Sequence, residues 1–271
     1  MARNAITHSG AQQIIVRAQP DRLKQSRPIR LLALALAIFA ASCGGSERGF
    51  VSDVSYEPPM DRSVVVETVV ALPFEAAWSE LIRRLSESSY RVAALEKASR
   101  FVRVDLDRTS DLAASANKPA RYIDCGRTTR SFQEIGSDTE PQRFEYSVAS
   151  SSEHRESDRV DGGFRVSEVA RRVALDASAT IFLQPEGSNR TRVTVKSRYH
   201  VKIEVRGRVV FHPLDADDSL GSTTDFGPRT ESIRFTTFQP GRDKRHGGLT
   251  CRATGDFEHK LVALANPAAA I

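Results

Sequence analysis

The side chains able to do covalent or metal chemistry are few and scattered. They are three thiols, Cys43, Cys125 and Cys251, and six imidazoles, His8, His154, His200, His212, His246 and His259. None stands in the close company that chemistry needs: there is no Cys-x-x-Cys, no His-Glu-x-x-His pair for zinc and no Gly-x-Ser-x-Gly nucleophile elbow. The acidic run Asp215-Ala216-Asp217-Asp218 lacks the twelve-residue spacing and closing glutamate of a calcium loop. The histidines therefore read as surface or loop residues. No catalytic residue, metal or other cofactor is expected, and the chain is expected not to be an enzyme. What remains is thiol chemistry: modification at Cys43 and oxidation of the other two.

Cys43 is positioned by what precedes it. Leu31 to Ala41 is a run of eleven apolar residues, led by Lys24, Arg27 and Arg30. That is the order of a secretory n-region and h-region, and the run is too short to cross about 30 Å of hydrocarbon as a helix. The four residues Ala40-Ala41-Ser42-Cys43 resemble the lipobox of bacterial lipoproteins. The resemblance implies alkylation of the Cys43 thiol by diacylglycerol, cleavage in front of it and acylation of the new amino group. The partner is then the lipid bilayer, held through two or more acyl chains. An uncleaved signal anchor and an apolar core helix are the alternatives. Gly44 stands where an inner-membrane retention signal carries aspartate, so in a Gram-negative cell the expected place is the outer membrane, facing the periplasm. A leader of this kind has a short n-region, and translation from near Leu23 gives one of the form (M)KQSRPIR.

Removing residues 1–42 changes the meaning of the composition. They hold six basic and one acidic side chain, and the remaining 229 residues balance 33 basic against 33 acidic. The formal net charge of +5 thus belongs to the leader, and nucleic acid is not an expected partner. In an oxidising compartment the two remaining cysteines, Cys125 and Cys251, are expected to pair. A buried free pair and a catalytic or metal role are the alternatives.

The rest of the chain divides into a lipidated tether over 43–61, one domain over 62–265 and a tail over 266–271. The tether is assigned on its content of glycine and proline. Arg62 to Leu72 reads as a valine-rich strand. After Pro73 the spacing of Phe74, Ala77, Trp78, Leu81 and Leu85 predicts an amphipathic helix to about Ser88. Short strands follow at Tyr90 to Leu95 and Phe101 to Leu106, and a polar loop at about 149–163. The clearest signal is strict alternation through Val173, Leu175, Ala177, Ala179, Ile181 and Leu183, resumed at Val193 through Val205 after a turn containing Pro185 and Gly187. These are two long antiparallel strands with one face buried. The opposite face of the second carries Lys196, Arg198, His200 and Lys202, a row expected to be solvated and neutralised across the sheet. A last helix follows Thr254-Gly255-Asp256.

The pieces VETVVALPFEAAWSELIRRL, YIDCG and CRATGDFEHKL together resemble proteobacterial envelope lipoproteins with the helix-grip domain of the BamC (NlpB/DapX) assembly type. The resemblance implies an α+β fold, an antiparallel sheet packed against an N-terminal and a C-terminal helix. It also implies a structural or protein-interaction module in envelope assembly or maintenance, with an envelope protein as partner. The alternative is a carrier of a small apolar ligand or lipid, in a cavity beneath the first helix facing Trp78 and lined by inward residues of the ribbon such as Tyr199.

Overall fold

The computed structural model describes residues 49–106, 121–136, 138, 140–214, 221–242 and 248–266. In chain order these form β1 (Gly49–Glu57), β2 (Glu67–Val70), α1 (Phe74–Ser86), β3 (Arg91–Glu96), β4 (Phe101–Asp105), β5 (Ile123–Asp124), β6 (Arg127–Ile135) and β7 (Gln142–Ser147). They continue with β8 (Ser152–Val160), β9 (Gly163–Pro185), β10 (Thr191–Pro213), β11 (Thr223–Thr236), β12 (Gly241–Arg242), β13 (Thr250–Ala253) and α2 (Asp256–Ala265).

The hairpin β9–β10 is the spine. Twenty-three residues of each strand pair without a slip, from Thr191 with Pro185 to Pro213 with Gly163. At about 3.3 Å per residue that is roughly 75 Å, several times an ordinary strand. The sequence sustains it because no proline interrupts either strand before Pro185 and Pro213, and the alternating face gives one register a large advantage over its neighbours.

Each outer edge of the spine is shared by two strands in tandem. Along β9, β4 pairs at residues 178–182 and β8 at 163–171. Along β10, β2 pairs at 191–194 and β11 at 198–210. β3 adds to β4, and every pairing is antiparallel. Gly207 lies where the β10–β11 register shifts, and only glycine fits there: a Cβ would lie 2.0 Å from the Glu168 carbonyl oxygen and 2.7 Å from the Phe226 ring.

The two ends of the spine are covered differently. Near the turn, α1 and α2 pack on the inner face of the sheet and on each other. α1 buries Ala77, Trp78, Leu81 and Leu85, as its spacing requires, and α2 buries Phe257, Leu261 and Ala265. They meet Val102, Val104, Ile181, Leu183 and Val193, all buried, to form the main core. Gly255, with no side chain to offer the first-turn amides, is the N-cap of α2. The Thr254 hydroxyl instead donates to the Arg121 carbonyl oxygen at 2.8 Å.

At the far end the cover is a second sheet, β1-β6-β7. It approaches β8 and β9 through Phe50, Phe132 and Phe164, with ring centroids 5.9 Å apart in both Phe50 pairs. A small sheet β12-β13-β5 joins the two ends. The Cys125 and Cys251 sulfurs lie 1.97 Å apart, a disulfide that ties the start of the second sheet to β13. The Tyr56 hydroxyl accepts from the Thr250 amide at 3.0 Å, fixing β1 at the same place. Gly126, at φ +78°, turns the chain from β5 into β6, and a Cβ there would lie 2.2 Å from the Glu57 carbonyl oxygen.

The expected α+β helix-grip fold is therefore corrected. Of the described residues 61% are strand and 12% helix, so the fold is mostly antiparallel β with two helices capping one end. The helices carry the strong apolar spacing in this sequence, whereas strands whose faces are not apolar carry none. Gly49–Glu57, read as tether, is β1 in full register with β6. The loop expected at 149–163 is mostly β8, whose inward positions are Ser152, His154 and Glu156. The long strand expected over Arg62 to Leu72 is confined to the four residues of β2.

Candidate functional site

Between the two sheets of the far end lies a cleft of about 580 Å³. Its walls follow from register. On β9, Val169 and Arg171 point inward on the same face as Val173, two and four residues along. β8 sets Ser152 opposite Arg171 and His154 opposite Val169. The facing sheet contributes Val54 and Tyr56 from β1, Arg130 from β6 and Tyr146 from β7, which share one face. Val205 of β10 and Phe226 and Arg229 of β11 complete the wall.

The polar groups in this cleft are unusual for their burial. Arg171 is 8% exposed, yet among the described residues no carboxylate lies within 4.0 Å of it. It donates to the Val148 carbonyl oxygen at 3.2 Å and to Ser152 Oγ at 3.3 Å, and its guanidinium lies over the Tyr146 ring at 5.0 Å. Burial pushes this guanidinium down from its ordinary pKa.

Arg130 is the second cation. It pairs with Glu156 and donates through Nε to the Tyr146 hydroxyl at 3.1 Å. The Glu156 carboxyl lies below the ordinary carboxylate range, because the adjacent His154 ring and the Arg130 guanidinium outweigh the opposing effect of burial. His154 Nε2 is 3.7 Å from the Glu156 carboxylate, too far for a hydrogen bond. The His154 side chain is 1% exposed and stacks on Tyr146 with centroids 5.4 Å apart, and neither ring nitrogen has a hydrogen-bond partner. Arg171, Arg130 and His154 thus converge on Tyr146, with Arg171 and His154 buried and Arg130 and Glu156 partly exposed in the cleft. Two guanidinium groups so placed favour a bound anion.

A larger cleft, about 1000 Å³, lies part-way along the spine where β4 ends, around residues 176–178 and 198–200. It carries Arg91, Arg198, Arg234 and His200, with Asp105 and Asp176. Here the expected neutralisation is partial. Asp176 takes Lys202 at 3.2 Å and Asp105 takes Arg91 at 2.6 Å. Arg198 faces Ser178 and Thr236 across the sheet, and Lys196 faces Thr180. This face is open and its charges are exposed, so it can meet acidic surfaces only weakly.

The residues singled out from sequence fall in three places. Cys43 lies outside the described residues, as do His8, His246 and the Asp215–Asp218 run. Cys125 and Cys251 are bonded in the core. Trp78 and Tyr199 are both buried at the helix-covered end, and Tyr199 lines the larger cleft, not the one between the sheets. Tyr199 donates to Glu258 Oε1 at 2.8 Å, and Thr237 donates to the same oxygen at 2.7 Å. Burial, then the Glu258 carboxylate, pushes the Tyr199 hydroxyl pKa upward.

His154 is buried, contrary to its reading as a surface or loop residue. It was missed together with Arg171, Arg130 and Glu258. One signal was present: Ser152, His154 and Glu156 alternate, placing three polar side chains on one strand face. Among the described residues no three histidine, cysteine or acidic side chains come together as a metal site. No family model, curated protein or solved structure matches the chain.

Proposed function

We propose that this is an exported protein held by lipid on Cys43 at the periplasmic face of the outer membrane, serving as a structural or protein-interaction module in envelope assembly or maintenance. The observation that carries the reading is the Ala40-Ala41-Ser42-Cys43 site behind its eleven-residue apolar run. The bonded pair Cys125–Cys251 supports it, because structural disulfides persist in oxidising compartments.

Packing favours a module over an apolar carrier at the helices. Ala77, Trp78, Leu81 and Leu85, the inner face of α1, are all buried against the core, which fills the space beneath the helix. Partner contact then falls to the outer sheet face and the long spine.

Membrane fractionation with intact-mass measurement and crosslinked co-purification tests the reading. The expected result is a chain beginning at Cys43, carrying acyl mass, recovered with outer-membrane material and crosslinked to a defined envelope neighbour. Cys43→Ser is expected to release it from that fraction. An unacylated monomer recovered from the cytoplasm would overturn the proposal.

A further inference from the structure

The cleft between the sheets is a built site for a ligand that the interaction module does not require. Arg171 is a buried cation with no carboxylate within 4.0 Å among the described residues. A guanidinium has five N–H donors, and two hydrogen bonds to the protein are made by this one. His154, buried and without a hydrogen-bond partner at either nitrogen, its Nε2 3.7 Å from the Glu156 carboxylate, lines the same cavity. The acidic groups there are Glu156, engaged by Arg130, and Glu231 of β11. The three arginines there, Arg130, Arg171 and Arg229, outnumber these two carboxylates by one. The rest of the wall is mainly apolar, including Val54, Val169, Val205 and Phe226, with Thr128 and Ser167 among them.

We propose that this cleft binds a small amphipathic carboxylate, its oxyanion between Arg171 and His154 and its apolar body along Val169, Val205 and Phe226. A carboxylate matches the guanidinium fork and supplies the single negative charge that the site lacks. A phosphate brings a second charge with no partner, and a neutral apolar ligand leaves Arg171 as it is. The cleft volume is within the usual range for small-molecule sites.

The test titrates the acylated full-length protein in lipid nanodiscs with sodium hexanoate, using empty nanodiscs to subtract partitioning. Inorganic phosphate and 1-hexanol are titrated in parallel. Hexanoate is expected to bind saturably at one site, at least tenfold more tightly than either comparison compound. Arg171→Met is expected to weaken it by about 10-fold or more, the loss of a charge-assisted hydrogen bond. His154→Gln, which leaves Arg171 in place, is expected to weaken it by about 3-fold, and it keeps the test open if Arg171→Met fails to fold. The proposal is overturned if hexanoate does not bind, if phosphate or hexanol binds as tightly, or if folded variants at both positions bind as the wild type does.

Discussion

The two ends of one hairpin are built from the same strands in the same register and come to opposite ends chemically. Near the turn the inward residues of β9 are Leu175, Ala177, Ala179, Ile181 and Leu183, and helices seal them. Far from the turn the same face carries Ser167, Val169 and Arg171, and a second sheet leaves a cleft over them. Backbone pairing is thus indifferent to what the inner face carries, provided that every second residue points inward. Apolar teeth give a closed core, and a charged tooth among valines gives a site.

The contrast can be broken first at the sealed end. Phe257→Ala removes a fully buried ring that meets Tyr90, Tyr122 and Tyr199, and should cost about 3–5 kcal/mol in urea unfolding. Reduction of Cys125–Cys251 comes next. The closed loop spans 126 residues, and its loss should cost about 2–5 kcal/mol, read as a shift in the urea midpoint with and without reductant.

At the open end the effect should be much smaller. Arg171→Met keeps the aliphatic stem, removes an unpaired buried charge and should leave stability within about 1 kcal/mol of wild type. A loss as large as that of Phe257→Ala would mean that both ends are cores of one kind.

The pH dependence separates the ends in a further way. The Glu156 carboxyl has its pKa lowered by folding, so its contribution is present above the ordinary value of 4.5 and lost as pH falls through the lower folded value. Glu156→Gln should flatten that part of the acid limb of stability against pH, and an unchanged limb would contradict the assignment. The smallest effect belongs to the outer surface of α1. There Glu80, partly exposed, is held down to about 2 by Arg83 and then Arg84, and Glu80→Gln should move the midpoint least and not at all in high salt.

The same division explains what could be read from the sequence. The residues of α1 and the strands from Val173 to Val205 were legible because burial there is apolar and periodic. β8 was not, since Ser152, His154 and Glu156 alternate as a polar face and hydrophobicity alone registers nothing. β1 was obscured by the glycines and prolines flanking it, although Phe50, Ser52 and Tyr56 share its inward side. Arg171 sits at the same parity as Val169 and Val173, so its inward direction was implied by the alternation and concealed by the charges of Arg171 and Arg172 side by side. Glu258, alone in an apolar helix face, gave no sign that Tyr199 and Thr237 would meet it. The helix-grip expectation failed for a related reason: two strong helices stand out in a chain whose many strands do not.

Hydrogen exchange of the acylated protein with and without hexanoate tests the division of the spine most directly. Added protection is expected in β8, at residues 163–171 of β9 and at 204–210 of β10, with none beneath α1 and α2. Protection centred on the helices, or spread evenly along both strands, would contradict it.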